Sequence, residues 1–181
     1  SVSQGDVVRI KGSNTTYATD KNTYSGFEGG TATYDIEGNI MSLVNGDNFI
    51  GTSALTGTYN FCSIFKKSNA ISAEHLILPT ATLTSYCYRA MFSLATSLAT
   101  APELPATTLS QGCYWYMFEG CAITDAPELL ATTLVRECYG NMFIDCHNLN
   151  YIKCMANSGL TVASGLTGWV KNVAASGIFV K

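Results

Sequence analysis

Leu104-Pro-Ala-Thr-Thr-Leu-Ser-Gln-Gly-Cys-Tyr-Trp-Tyr-Met-Phe118 is the middle member of three similar stretches, and the other two begin at Leu78 and Leu129. The copies are 26 and 25 residues apart, as the first residues of their Cys-Tyr pairs show: Cys87, Cys113 and Cys138. The Met-Phe pairs repeat at the same two steps. A shared period over many positions is typical of a solenoid, in which each repeat buries its apolar face only against its neighbours.

Each copy contains two apolar blocks. In the first, apolar residues follow Leu109 at offsets of 4, 5, 8 and 9, which places them in two neighbouring rows of a short helix that Thr108 can begin. The second block, residues 123–129, is short and extended in character, and proline interrupts it in two copies. Because proline lacks a ladder donor, this block predicts a short strand. One short helix and one short strand in about 25 residues is the size class of the leucine-rich repeat.

Two motifs point to a family. The run Met117-Phe-Glu-Gly-Cys121 resembles the aromatic-x-Gly-Cys turn of the BspA-like leucine-rich repeats, which occur in surface proteins of anaerobic gut bacteria. The Leu-Pro pairs at Leu78 and Leu104 resemble the end of that family's strand, and residues 151–155 and 168–181 are similar to the way such proteins end. The resemblance covers residues 55–181, departs at Ala95 and Leu130, and carries over no catalytic residue. It implies a right-handed solenoid and an extracellular binding or adhesion role.

The predicted fold is therefore α/β: a right-handed leucine-rich-repeat solenoid with a short strand and a short helix in each repeat. Residues 1–54 are predicted to form an N-terminal β cap, with strands at residues 5–12, 31–37 and 39–44. Residues 55–157 are predicted to form the solenoid of about four units, the first a worn copy with Ile64-Phe65 in place of Met-Phe. Residues 158–181 are predicted to form a C-terminal cap, with a short amphipathic helix around Trp169 and a final strand at residues 178–180.

Composition restricts the possible partners and location. Charged residues make up 13% of the chain, about half the usual share of a soluble domain, which suits an extracellular protein better than a cytosolic enzyme. The net charge of −3 gives no electrostatic support for nucleic-acid binding. No apolar run approaches the length of about 18 residues that a membrane span needs. We expect an extracellular or cell-surface location, although no signal or anchor segment is visible in the chain.

The seven cysteines are interpreted as small buried apolar residues, because five of them occupy repeated positions and an odd count does not suit a disulfide scaffold. A zinc site at Cys138, Cys146, His147 and Cys154 is an alternative, but the spacing matches no known finger. A Cys146–His147 nucleophile is another, although adjacent residues in a turn usually point apart. No catalytic motif is present, so we expect no cofactor, no metal and no enzyme activity.

Two surfaces are candidates for binding. The like charges of Glu103 and Glu128 share a repeated position on the strand side, where they could attract a cation or a basic partner or simply be solvated. The candidate residues of this side are Thr100, Glu103, Asp125, Glu128, Tyr151 and Lys153. The helix side presents Trp115-Tyr116 where the other copies have Arg89-Ala90 and Gly140-Asn141. This aromatic pair could anchor a sugar or a protein, or it could pack against a neighbouring repeat.

The leading hypothesis is a non-enzymatic extracellular binding or adhesion module that recognises a glycan or a protein surface. One alternative is a structural component of a fibre or phage tail, since such repeats could also serve there. An alternative from another class is a cysteine-dependent or metal-dependent hydrolase, against which buried thiols of ordinary reactivity argue. We expect neither a nucleic-acid partner nor a membrane-spanning segment, and the sequence leaves the oligomeric state open.

Overall fold

A computed structural model describes residues 3, 5–14, 17–79 and 82–181, so that Thr80 and Ala81 of the first copy lie outside the described residues. In chain order the elements are β1 (Tyr34–Asp35), β2 (Gly38–Asn39), α1 (Ser42–Asn45), a 3-10 helix (Gly46–Phe49), β3 (Ala70–Ser72), β4 (Leu76–Ile77), β5 (Tyr151–Lys153) and β6 (Ile178–Val180). The strands form three separate two-stranded parallel sheets, in which β1 pairs with β3, β2 with β4 and β5 with β6.

The predicted leucine-rich-repeat solenoid, with one helix and one strand in each repeat, is wrong. Among the described residues the only α-helix is α1, which has four residues and lies outside the three copies. The strand blocks do not join into one continuous sheet, because the described strands form isolated pairs and single bridges.

The helix prediction failed because the copies have a backbone period of four residues rather than 3.6. In the first copy Tyr86, Ala90 and Leu94 have φ values of 58°, 52° and 61°, which lie in the left-handed region. An L-residue in that region cannot continue a right-handed α-helix. The chain therefore forms a series of tight turns. Apolar offsets of 4, 5, 8 and 9 fit a period of four as well as they fit a helix over such a short span.

Backbone hydrogen bonds follow the same alternation. The N–H of Met91 donates to the carbonyl of Tyr88 three residues earlier, at 3.2 Å, whereas the N–H of Phe92 donates to the carbonyl of Met117 in the next copy, at 2.9 Å. Every second N–H thus bonds within its own copy and the others bond the following copy. Because half of the donors leave the segment, no regular helical ladder can form.

Five segments among the described residues have this conformation, and we call them the first to fifth turn segments: residues 59–67, 86–94, 112–120, 137–145 and 164–172. Each has a positive φ at its first, fifth and ninth residue. The fifth segment includes Trp169, where the sequence predicts an amphipathic helix. That prediction is wrong for the same reason as the others, since the residues around Trp169 form turns.

The core is built from two ladders of aromatic rings that run through successive segments. One ladder stacks Phe27, Phe65, Phe92, Phe118 and Phe143 at centroid distances between 5.5 and 5.8 Å. The other stacks Tyr17, Phe61, Tyr88, Tyr114 and Tyr139 at distances between 5.9 and 6.1 Å. The prediction that the phenylalanines of the three copies are buried and stacked in register is confirmed, since all three are fully buried.

The N-terminal region departs from its predicted strands. Residues 5–12 form no strand, and most of residues 39–44 precede or begin α1, with only Asn39 in β2. Within residues 31–37 only β1 is a strand, whereas the final strand at residues 178–180 is confirmed as β6. Residues 17–27 cover the first turn segment, because the N–H groups of Tyr17 and Phe27 donate to the carbonyls of Asn60 and Ile64 at 2.8 and 2.7 Å.

Candidate functional site

The strand-side candidates lie on short or irregular strand segments, where Tyr151 and Lys153 are half-buried and the other four are exposed. Asp125 forms a parallel bridge with Tyr151, and Thr100 forms one with Ser72, whose hydroxyl accepts a 2.6 Å hydrogen bond from Thr100 Oγ1. Lys153 Nζ lies 2.9 Å from Glu128 Oε1. The hydrogen bond and the charge of Glu128 raise the pKa of Lys153. These pairs between copies already use many of the polar groups for which the strand side was a candidate binding surface.

The strand-side candidates do not converge on one site. Glu103 borders an open cleft of about 330 Å³ that is also lined by Glu74, His75, Leu76, Ile77, Leu78 and Pro105. Asp125 and Tyr151 border a second cleft of about 560 Å³, together with Asn150, Ser176, Gly177 and Ile178. Of the residues predicted as one surface, Glu103 therefore borders one cleft, Asp125 and Tyr151 border another, and the remaining three border neither.

Trp115 and Tyr116 lie between the two buried pairs of the third turn segment, so the four-residue period directs them outward. Both are half-buried, and their rings stack at 5.6 Å. Residues equivalent to Trp115 in the neighbouring segments are Arg89 and Gly140. The Arg89 guanidinium lies 5.2 Å from the Trp115 ring, and a Cβ at Gly140 would lie 3.2 Å from Trp115 Cδ1. A small residue at position 140 thus makes room for the indole.

Two tyrosines extend this aromatic surface toward the first segment. Tyr59 and Tyr86 stack at 4.9 Å, and Tyr86 and Trp115 contact at 6.3 Å. Tyr86 reaches across Gly112, where a Cβ would lie 2.3 Å from Tyr86 Cε1 and where φ is +61°. Glycine is required there by both the close approach and the left-handed backbone. We call Tyr59, Tyr86, Trp115 and Tyr116 the aromatic strip.

A polar network borders the aromatic strip. Gln111 Nε2 donates to Tyr86 Oη at 2.6 Å and to Glu137 Oε2 at 3.2 Å, and Tyr86 Oη donates to the same carboxylate at 3.1 Å. Burial raises the pKa of Glu137, but the hydrogen bonds from Gln111, Tyr86 and Arg136 outweigh it and the pKa lies below its ordinary value. Burial and the Glu137 carboxylate raise the pKa of Tyr86. This edge therefore keeps an ionised carboxylate beside a neutral phenol.

Arg89 is the least satisfied polar group at the strip. Its guanidinium lies 5.2 Å from the Trp115 ring and 5.9 Å from the Tyr116 ring. Its Nε is buried without a hydrogen-bond partner, and no carboxylate forms a salt bridge with it in the described part of the chain. Sequence reasoning missed this arrangement, although Arg89, Trp115 and Gly140 align in the repeat and that alignment was the available signal.

The cysteines named in the zinc and nucleophile alternatives lie in the interior of the protein. All seven are buried and unpaired, and burial raises the pKa of Cys87 and of Cys146 to about 12. The Cys146 thiol donates to the Phe118 carbonyl at 2.9 Å, whereas the exposed His147 ring contacts the Asn172 carbonyl through Nδ1. Within residues 3, 5–14, 17–79 and 82–181, no three His, Cys, Asp or Glu side chains are grouped in a way that could hold a metal ion.

No helix in the described part of the chain combines the length and apolar character that a bilayer crossing requires. No protein-family model matches the chain, and neither does any curated protein or solved structure. Membership of the BspA-like family therefore stays a prediction from the repeat motifs.

Proposed function

We propose that the protein is a non-enzymatic binding or adhesion module, located outside the cell or at its surface, that recognises a glycan or a protein surface through the aromatic strip and Arg89. The observation that carries this proposal is the unpaired Arg89 guanidinium, which lies over Trp115 and Tyr116 with a buried Nε that has no acceptor among the described residues. The low content of charged residues supports the location.

The chemistry of the strip favours a ligand with acidic groups. Tryptophan, tyrosine and arginine are the residues that most often dominate the energy of an interface, because they combine large apolar area with few flexible bonds or with planar hydrogen bonding. A buried donor without a partner destabilises the free protein, so a ligand oxygen that pairs with it gains affinity. Arg89 pairs best with a carboxylate or a sulfate, while the rings pack against the apolar face of a sugar or side chain.

A binding screen of the whole chain tests the proposal. The probes are an array of acidic and neutral oligosaccharides and a panel of immobilised extracellular proteins. We expect saturable binding to at least one probe that carries carboxylate or sulfate groups, and weaker binding at high salt because the contact with Arg89 is electrostatic. No binding to any probe in either screen would contradict the proposal.

Two double variants then locate the contact with the probe that binds. Trp115→Ala with Tyr116→Ala should weaken binding by at least about tenfold, since each loses an aromatic anchor. The matched control, Glu103→Ala with Glu128→Ala, alters the strand side and should leave affinity nearly unchanged. Circular dichroism confirms that both variants are folded. Loss of affinity in the control alone would show that the ligand binds the strand side and not the aromatic strip.

Arg89→Gln separates the guanidinium from the rings. It keeps a polar, hydrogen-bonding side chain and removes the charge, so we expect weaker binding of acidic probes and a flatter salt dependence. Unchanged salt dependence would show that Arg89 does not contact the ligand.

A fibre component is a second candidate function, and it is favoured by one observation. The strand β6 lies at the end of the stacked segments, and only one of its edges is paired in the described structure.

A further inference from the structure

One edge of the strand β6 is unpaired in the described structure. The N–H of Ile178 donates to the Asn150 carbonyl at 2.7 Å, and the Val180 carbonyl accepts from the Cys154 N–H at 3.0 Å. Because hydrogen-bonding groups alternate sides along a strand, the N–H and carbonyl of Phe179 point away from β5. Ile178 and Phe179 are 64% and 61% exposed. Within the described residues, β6 therefore presents an unpaired strand edge with two exposed apolar side chains.

The fifth turn segment is open at the same end of the molecule. In each earlier segment, alternate N–H groups donate to the following segment. The equivalent donors of the fifth segment have no acceptor in the part of the chain that the structure describes, and they belong to Ser164, Leu166, Gly168, Val170 and Asn172. The opposite end differs, because residues 17–27 cover the first segment.

The N-terminal segment Asp6-Val-Val-Arg-Ile-Lys11 is exposed. Its alternation of apolar and charged residues predicts a strand, yet the structure gives it no strand partner. Val7, Val8 and Ile10 are 68%, 65% and 49% exposed. Residue Gly12, which follows the segment, is fixed by backbone hydrogen bonds to Ser42 and Gly46 near α1. The segment is thus held at the end of the molecule opposite to β6.

We propose that residues 6–11 of a second copy of this chain add as a strand to the free edge of β6. An unpaired edge recruits an extended segment through backbone hydrogen bonds, and the alternating side chains then choose the register. The exposed valines and isoleucine of the segment cover Ile178 and Phe179. Since the two contact surfaces differ and lie at opposite ends, the assembly is head-to-tail and grows into a chain of subunits. This proposal does not depend on the aromatic strip.

Cysteine cross-linking tests the contact directly, because all seven native cysteines are buried. Ile10→Cys and Ile178→Cys are prepared separately, mixed, and oxidised with copper–phenanthroline. We expect a disulfide-linked dimer of the two variants to form faster than dimers of either variant alone. The control replaces Ile178→Cys by Ile50→Cys, which alters an 83% exposed residue outside the contact. Equal rates in the mixture and the control would overturn the proposal, as would faster dimerisation of Ile178→Cys alone.

Sedimentation of the unmodified chain over a range of concentrations provides an independent test. We expect the mean mass to rise with concentration. Val8→Lys with Ile10→Lys should weaken association by at least about tenfold, because it places two charges in the contact without altering a buried residue. Ile50→Lys is the control and should leave association unchanged. A monomer at every concentration, or equal association by the lysine variant, would contradict the proposal.

Phe179→Pro examines the other side of the contact. It removes the N–H that points to the free edge, while the hydrogen bonds of Ile178 and Val180 with β5 do not involve residue 179. We expect the same loss of association, with the folded state checked by circular dichroism. Undiminished association of the folded variant would show that the β6 edge is not used.

Discussion

The two sides of each repeat are built very differently. On the turn side, successive segments are joined by hydrogen bonds from alternate residues, and the aromatic ladders lie directly behind them. On the strand side the bonding varies from copy to copy, from the single bridge between Ser72 and Thr100 to the repeated contacts of residues 124–134 with residues 150–158. The turn side keeps its four-residue spacing in every copy, whereas the loop before Ile123 is one residue shorter than its equivalents. Hydrogen bonding that is the same in every copy thus constrains the length of the turn side. The strand side tolerates variation in length because its hydrogen bonding differs from copy to copy.

The turn side tolerates unfavourable backbone conformations. Among the described residues, twelve other than glycine have positive φ, and all twelve lie in the turn segments. A left-handed conformation costs about 1–2 kcal/mol for such a residue. The buried aromatic and sulfur-containing side chains between these positions offset the cost, since each fully buried large side chain stabilises the fold by about 1.5–3 kcal/mol. Stability is therefore expected to depend on the turn side much more than on the strand side.

The largest expected effect is that of Phe118→Ala on the turn side. Phe118 is fully buried and stacks between Phe92 and Phe143 at 5.6 and 5.8 Å. We expect a loss of about 3–5 kcal/mol in the free energy of unfolding, from lost burial and the cavity left behind. Glu128→Ala on the strand side should cost less than about 1 kcal/mol, since its ion pair with Lys153 is exposed. Equilibrium unfolding in urea measures both, and similar values for the two variants would disprove the contrast between the sides.

Alkaline pH should weaken the turn side through its thiols. Burial raises the pKa of Cys87 to about 12 from an ordinary value of 9.0, so the folded state favours the neutral thiol. The stabilisation is complete below pH 9 and is lost as pH rises toward 12, because the unfolded chain ionises first. For this thiol the free energy of unfolding should fall by up to about 1.4 kcal/mol per pH unit in that range. Urea unfolding at pH 8 and pH 10 measures the decline, and Cys87→Ala should reduce the total decline between these two pH values by about 1.4 kcal/mol. An identical decline in the free energy of unfolding for the variant would contradict the prediction that folding keeps the Cys87 thiol neutral.

The smallest expected effect separates backbone conformation from side-chain packing. Ser164 and Ala163 are adjacent and exposed, and only Ser164 has a positive φ, of 58°. Ser164→Gly should stabilise the protein by roughly 0.5 kcal/mol, since relief of the left-handed strain exceeds the added entropy of the unfolded chain. Ala163→Gly should destabilise it by roughly 0.5–1 kcal/mol. Thermal unfolding of the two variants gives the comparison, and effects of the same sign would show that the positive φ is not strained.

The sequence predicted the repeats and the core better than the backbone that carries them. Phe92, Phe118 and Phe143 could be placed in the core because burial repeats with the copies, whatever the local conformation. The turns were missed because the usual marker of a left-handed residue is glycine, and most of these positions hold other residues, such as Tyr86, Leu94 and Glu137. In such a short segment, apolar spacing alone cannot distinguish periods of 3.6 and four.

The sequence could predict only those contacts of the candidate site that join residues at the same position of neighbouring repeats. Trp115 and Tyr116 stood out because the equivalent residues of the other copies are so different. The contact between Tyr86 and Glu137 could not be predicted, because the tyrosine spans an entire intervening segment to reach a residue 51 positions later. The strand-side residues share equivalent positions in the sequence, but Glu103 borders a different cleft from Asp125 and Tyr151, and the other three border neither.

The one-way hydrogen bonding of the turn side also has an electrical consequence. Every N–H that joins two turn segments points from the earlier to the later segment, so these peptide dipoles add along the stack. On the strand side the Ile178 and Cys154 donors point in opposite directions, and their dipoles cancel. The turn side therefore has a macrodipole with its positive end at the C-terminal face. In an α-helix the positive end is the N-terminus, so this stack of turns has the reverse polarity with respect to the direction of its chain.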